Sequence, residues 1–198
     1  MPFNFPIFLT WLRVALIPVF IGLFYLPSSM LADAARNQIG TLIFALAAIT
    51  DWLDGFLARK WGQTSAFGAF LDPVADKLIV AAALILLVDL ERTWAWLAMV
   101  IIGREITISA LREWMAQLGE HKSVAVAYVG KLKTAAQMIA VLLLLFDAPL
   151  MVGVNTRLLG NIFMVLAAVL TLWSMGYYLK MAAAQMRTQK NQDEVLDR

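Results

Sequence analysis

The sequence predicts an all-α membrane protein of six transmembrane helices, and three observations carry that expectation. Of 198 residues, 62% are hydrophobic and only 15% are charged, with a mean hydropathy of +0.76. A soluble domain of this length does not need so little polar surface. The apolar residues fall into six runs, each of about 20 residues or more, the length that a hydrocarbon core of ~30 Å demands of a helix. None of the runs alternates lipid-facing with lumen-facing residues, which excludes a β-barrel.

Each element has its own punctuation. The first run, Phe5 to Leu26, stops at Pro27-Ser28-Ser29, and the second extends from Ala35 to Ala58. Gly62 with Thr64-Ser65 separates the second from the third, Phe67 to Leu87, and the fourth, Thr93 to Met115, is closed by Gly119. The fifth, Tyr128 to Ala148, ends at Asp147 with Pro149, and the sixth covers Leu158 to Leu179. Ala32-Asp33-Ala34 mimics a signal-peptidase site, but the preceding run has no basic n-region and exceeds a usual h-region, so the first helix is expected to stay. No repeat, low-complexity segment or long linker divides the chain. The expected organisation is one transmembrane catalytic domain over 1–186 and a polar cytoplasmic tail over 187–198, frayed or helical.

Charge sets the expected orientation. With the N-terminus inside, 13 of the 16 Lys and Arg fall on the inner side, leaving Arg36, Arg92 and Arg157 outside. Both termini are therefore expected in the cytoplasm. The pI of about 9.0 then reflects an inner-leaflet bias that suits anionic headgroups, with no nucleic-acid binding implied. Cysteine is absent, so no disulfide framework exists and redox compartment is not legible.

Against this apolar background stand four aspartates, in the pattern Asp51-x2-Asp54-Gly55-x2-Ala58-Arg59-x8-Gly68-x3-Asp72-x3-Asp76. A carboxylate at membrane depth costs roughly 2.5 to 3.5 kcal/mol and persists where it faces a cavity, a partner or an ion. Asp51 and Asp54 share one helical face, about 4.5 Å apart along the axis; Asp72 and Asp76, four apart, share another. Two antiparallel helices joined by a tight loop bring these faces together, and Gly55 and Gly68 allow close approach. An oxygen-only donor set favours Mg²⁺ or Mn²⁺ over zinc. Singly, Asp51 and Asp54 could instead pair with Arg59 and Lys60, and Asp72 could cap the third helix ahead of Pro73. All four together leave too many buried anions for that explanation. Two divalent cations would balance four aspartates and leave a neutral site able to accept a pyrophosphate.

This segment resembles, without a departure, the signature of the CDP-alcohol phosphotransferase family. Further matching residues are Asn4-x-Pro6 with Thr10 and Arg13, Gly103-Arg104-Glu105 through Ser109-Ala110-Leu111-Arg112-Glu113, and Gly130-Lys131-Leu132-Lys133-Thr134. The resemblance implies a six-helix membrane enzyme of the bacterial cytoplasmic (inner) membrane that joins a CDP-activated group to an alcohol and releases CMP. The wider pattern is similar to bacterial members that use CDP-diacylglycerol and sn-glycerol 3-phosphate. It further implies a metal shell of Asp51, Asp54, Asp72 and Asp76 with two Mg²⁺ or Mn²⁺, and Asp76 as general base. A CDP pocket of Asn4, Thr10, Asp51, Gly55, Ala58, Arg59 and Gly68, a homodimer and contact with membrane lipids complete the set.

The acceptor has a physical reading of its own. Arg104 lies inside an apolar run, Arg112 is eight residues later on nearly the same face, and Lys131 and Lys133 open the fifth helix. Such groups, with Arg13 by resemblance, suit a phosphate dianion, whereas serine or inositol acceptors would not need that much positive charge. The bland alternative pairs Arg104 with Glu105 or Asp76 and lets the lysines follow the positive-inside bias. His121 stands alone and reads as a loop residue; the seven Trp and four Tyr fit interfacial belts or packing. A small cation or lipid transporter is the rival from another class, since intramembrane acids also mark ion paths. Acids crowded at one leaflet without a repeat make a poor alternating-access path, and metal-dependent CMP release separates the two.

Overall fold

The computed structural model describes residues 5–61, 66–117, 125–149 and 155–196. Within them the chain forms six α-helices and no strand: α1 Phe5–Phe24, α2 Asp33–Trp61, α3 Ala66–Asp89, α4 Ala95–Gln117, α5 Ala125–Phe146 and α6 Thr156–Leu196. The first five match the expected runs to within three residues at each end. The sixth continues 17 residues past its apolar run, because Lys180 through Leu196 is rich in Ala, Gln, Met, Lys and Arg, all strong helix formers. Hydropathy marks where a span ends, and propensity decides where the helix ends. Pro18 and Pro73 lie inside α1 and α3, each removing one backbone donor in the way that bundled membrane helices tolerate.

The core draws on all six helices. Phe20 and Phe24 of α1 meet edge to face with centroids 5.6 Å apart, and Phe44 of α2 packs on Phe20 at 6.3 Å. Leu84 and Leu87 of α3, Leu97 and Ile101 of α4, Val141 and Leu144 of α5 and Met164 of α6 fill the centre, all fully buried. Two glycines set close approaches. A Cβ on Gly40 would sit 2.4 Å from the Phe24 ring, and one on Gly160 would sit 2.7 Å from Leu144, so α1–α2 and α5–α6 pack more tightly than any side chain allows.

The outside of the bundle is apolar too. Leu42, Ile49, Ile85, Met99, Ile106, Ile162, Val169 and Trp173 all point away from the core and are exposed. Water would not tolerate so continuous an apolar surface, and hydrocarbon does. Among the described residues Thr156–Tyr177 is long and apolar enough to cross a membrane unaided, and Phe8–Phe24 and Leu132–Phe146 are shorter apolar stretches. Trp94 and Trp96, stacked at 6.4 Å and exposed beside the start of α4, suit a membrane–water interface.

One end of the bundle is tied by Arg92. Its Nη1 donates to the carbonyls of Leu144 (3.1 Å) and Leu145 (2.9 Å), two of the four that the last turn of α5 leaves without helical partners. Nη2 donates to Asn37 Oδ1 of α2 at 2.7 Å, and Nε lies 3.3 Å from Asp147. Burial pushes the Arg92 pKa down, and the Asp147 carboxylate opposes that shift. Arg157 of α6 completes the cluster, reaching Asp147 at 2.8 Å. Glu91 and Asp147 hold left-handed backbones, at φ 55° and 42°. At Glu91 this forms a Schellman stop, with Arg92 N on Leu87 O at 2.9 Å and Glu91 N on Val88 O at 3.0 Å. The stop is what delivers the Arg92 side chain to the end of α5.

Candidate active site

The expected site lies lower in the bundle. Asp51 is about 14 residues beyond Asn37 along α2, roughly 21 Å from the Arg92 end. Asp51 Oδ1 accepts from Arg13 Nη1 at 2.7 Å, joining α2 to α1. The Arg13 side chain is fully buried while that of Asp51 is 40% exposed, so the carboxylate faces an opening from which the arginine is shut off. Thr10, one turn before Arg13 on the same face of α1, is also buried. Asp76, half-buried on α3, interacts electrostatically with Asp51, Arg13, Glu105 and Lys77. Two of the four expected metal aspartates, on different helices, therefore act on each other electrostatically.

The other two positions carry less information. Asp54 and Asp72 lie within α2 and α3, and their side chains fall outside the described residues, as do those of Arg59, Ala58, Arg112 and Lys131. Gly55 and Gly68 are helical positions of the same stretches, and Asn4 and His121 lie outside the described residues altogether. Among the described residues no group of three metal-binding side chains gathers. Asp72 is the seventh residue of α3, whose first residue is Ala66, so the alternative in which it caps the helix is not the one adopted. A helical register with Asp76 is what remains for it.

A second cluster adjoins the first. Arg104 is buried on α4 and Lys133 on α5, at 7% and 3% exposure. Both reach the same oxygen, Oε1 of Glu105: Arg104 through Nη1 at 3.2 Å, and Lys133 through Nζ. Arg104 Nη2 donates to Ser174 Oγ of α6 at 2.8 Å. The bland pairing of Arg104 with Glu105 is therefore present, but it does not explain the cluster, because a lysine from another helix shares the carboxylate. Arg13, expected among the acceptor-phosphate cations, pairs with Asp51 of the aspartate signature. Ser174 and Lys77 were not expected as site residues. Thr171 and Ser174 inside an apolar run were the available signal, since buried hydroxyls at membrane depth need partners.

A family model described as CDP-alcohol phosphatidyltransferase matches residues 3–173. The chain belongs to that family. It is a membrane enzyme, and its six helices are the family's membrane-integral bundle. A relative from Shigella flexneri serotype 5b, named CDP-diacylglycerol--glycerol-3-phosphate 3-phosphatidyltransferase, is 50% identical over 192 residues, 96% of this chain and 100% of its own. Relatives of the same name from Escherichia coli K12 and Haemophilus influenzae are 50% and 51% identical, covering 96% and 94% of this chain. The family match takes in the aspartate signature, Arg104, Glu105 and Lys133, and ends in α6 one residue before Ser174.

Proposed function

We propose that this protein transfers the phosphatidyl group of CDP-diacylglycerol to sn-glycerol 3-phosphate, giving phosphatidylglycerophosphate and CMP. The observation that carries the reading is identity of about half the residues, across nearly the full length, with relatives named for that reaction. The buried Arg104–Lys133 pair supports it, since a phosphorylated acceptor is what such charge suits. Serine or inositol would bring no phosphate to meet the positive charge that Glu105 leaves over in this cluster.

The chain's own groups divide the work. Asp76 takes the proton of the acceptor hydroxyl as that oxygen attacks the phosphorus bearing diacylglycerol, and the bond from that phosphorus to the CMP oxygen breaks. Arg104 and Lys133, with Arg112 and Lys131, orient the acceptor phosphate, while Arg13 holds Asp51. Asn4, Thr10, Gly55, Ala58, Arg59 and Gly68 hold the cytidine diphosphate. Divalent metals serve this family in general. The donor set fits them here, since Asp51 and Asp76 offer hard oxygens from facing helices and Asp51 is accessible. Asp51, Asp54, Asp72 and Asp76 would hold two Mg²⁺ or Mn²⁺, which when bound supply counter-charge to the pyrophosphate. The protein works as a homodimer in the bacterial inner membrane, with its termini and site toward the cytoplasm.

The test uses purified protein, CDP-diacylglycerol and a panel of glycerol 3-phosphate, serine, inositol and glycerol, with Mg²⁺, Mn²⁺ or excess chelator. The expected result is metal-dependent CMP release with glycerol 3-phosphate and a lipid product carrying two phosphates. Release driven by serine or inositol, or none with any alcohol, would reject the reading.

A further inference from the structure

Adjacent residues on a helix point about 100° apart, so Arg104 and Glu105 do not meet by default. Here they do, because the guanidinium is held from two sides. Ser174 Oγ donates its hydrogen to Thr171 O at 2.9 Å, one turn back on α6, and so presents a lone pair to Arg104 Nη2 at 2.8 Å. Nη1, the other terminal nitrogen, is held by Glu105 at 3.2 Å. Two fixed nitrogens define the plane of the guanidinium, and a planar fork recognises phosphate only when that plane is set. Lys133 has no such intrinsic direction, and its contact with Glu105 Oε1 supplies one.

The charges make the same point. Arg104 and Lys133 are both nearly inaccessible, and two cations brought together in low dielectric repel strongly. One carboxylate oxygen shared between them converts a repelling pair into a cluster with a single net positive charge. Three helices contribute to it, α4, α5 and α6, and Glu105 also acts electrostatically on Asp76.

We propose that Glu105 is a positioning residue for the acceptor phosphate, its shared carboxylate oxygen fixing Arg104 and Lys133 as a pair while Ser174 sets the guanidinium plane. This rests on the reading that the acceptor is glycerol 3-phosphate.

The experiment compares wild type with Glu105→Gln and Ser174→Ala, measuring KM for each substrate, kcat, inhibition by inorganic phosphate and thermal unfolding in detergent. An amide keeps the shape of the side chain but removes the charge that holds two cations. Expected for Glu105→Gln is a KM for glycerol 3-phosphate raised about tenfold or more, as loss of a charge-assisted contact implies, with KM for CDP-diacylglycerol within about twofold of wild type. Inhibition by phosphate should weaken in parallel, and Ser174→Ala should move the same constants by a smaller factor. An unchanged acceptor KM overturns the proposal, as does a lowered one, which would make Glu105 a competitor of the phosphate. Equal loss on both substrates with a lowered unfolding midpoint assigns a structural role and also overturns it. Should Glu105→Gln fail to fold, Ser174→Ala decides by the same constants. Wild type that makes no product from glycerol 3-phosphate rejects the underlying reading, and the proposal with it, before any variant is assayed.

Discussion

Arg13 and Asp76 show how much depends on single side chains. Arg13 is fully buried and pairs with Asp51 at 2.7 Å, so one aspartate of the signature already has a hydrogen-bonded counter-charge from α1, while Asp76 feels Asp51 and Glu105 against Arg13 and Lys77. That difference separates their roles. Asp51→Asn should raise the metal concentration needed for half-maximal activity as well as reduce turnover, because the shell loses a charge. Asp76→Asn should abolish turnover while leaving CDP-diacylglycerol and metal binding largely intact, since an amide keeps the shape but takes no proton. Binding measured by calorimetry beside a single-turnover assay checks both, and near-normal turnover of Asp76→Asn across pH would remove it as the base. The four aspartates were legible from spacing because charge at membrane depth is conspicuous. Ser174 was not, because an uncharged hydroxyl in an apolar run does not show from sequence which helix it faces.

At the scale of the element, the decisive features are stops and close approaches. Asn155 caps α6, its Oδ1 accepting from Arg157 N at 2.9 Å and Leu158 N at 3.2 Å, while Glu91 and Asp147 end α3 and α5 in left-handed conformations. Helix ends were legible where Pro, Gly or Asp punctuate, as at Pro27 and Asp147. The end of α6 was not, because polarity rather than a breaker marks the close of its span. Pairing of helices was also illegible, since no residue in α5 announces that Leu144 rests on Gly160. That contact makes a measurable claim. Gly160→Val should destabilise the protein by roughly 1 to 3 kcal/mol through overpacking against a fully buried neighbour. Leu144→Ala in the same chain should recover part of the loss, so that the two changes couple in a double-mutant cycle of thermal unfolding. Strict additivity would mean that α5 and α6 do not meet there.

For the whole molecule, the two polar clusters divide the bundle into a tied end and a working region. Arg92 joins α2 and α5 through Asn37, Leu144 and Leu145, and the Asp147 carboxylate that it shares with Arg157 adds α6. The acids and the Arg104 cluster lie some three turns or more away along the same helices, by the 1.5 Å rise per residue. The proposed substrates, a CDP-activated lipid and a soluble phosphorylated alcohol, must both reach that region, so the proposed reaction requires it to face the compartment holding nucleotides. Among the described residues Arg36, Arg92 and Arg157 lie at the tied end and Arg13, Arg104 and Lys133 in the working region, and the positive-inside bias expected from the sequence makes the second side the inner one. The chain has no cysteine, so single cysteines report position without background. Cysteines introduced at Ser29 and Asn155, both exposed at the tied end, should react with a membrane-impermeant maleimide in intact cells. A cysteine at Lys60 or Lys122 should react only after the membrane is opened. Labelling of the second pair alone in intact cells would invert the protein and put its acids on the side without CDP-diacylglycerol's nucleotide supply, which the proposed reaction does not survive.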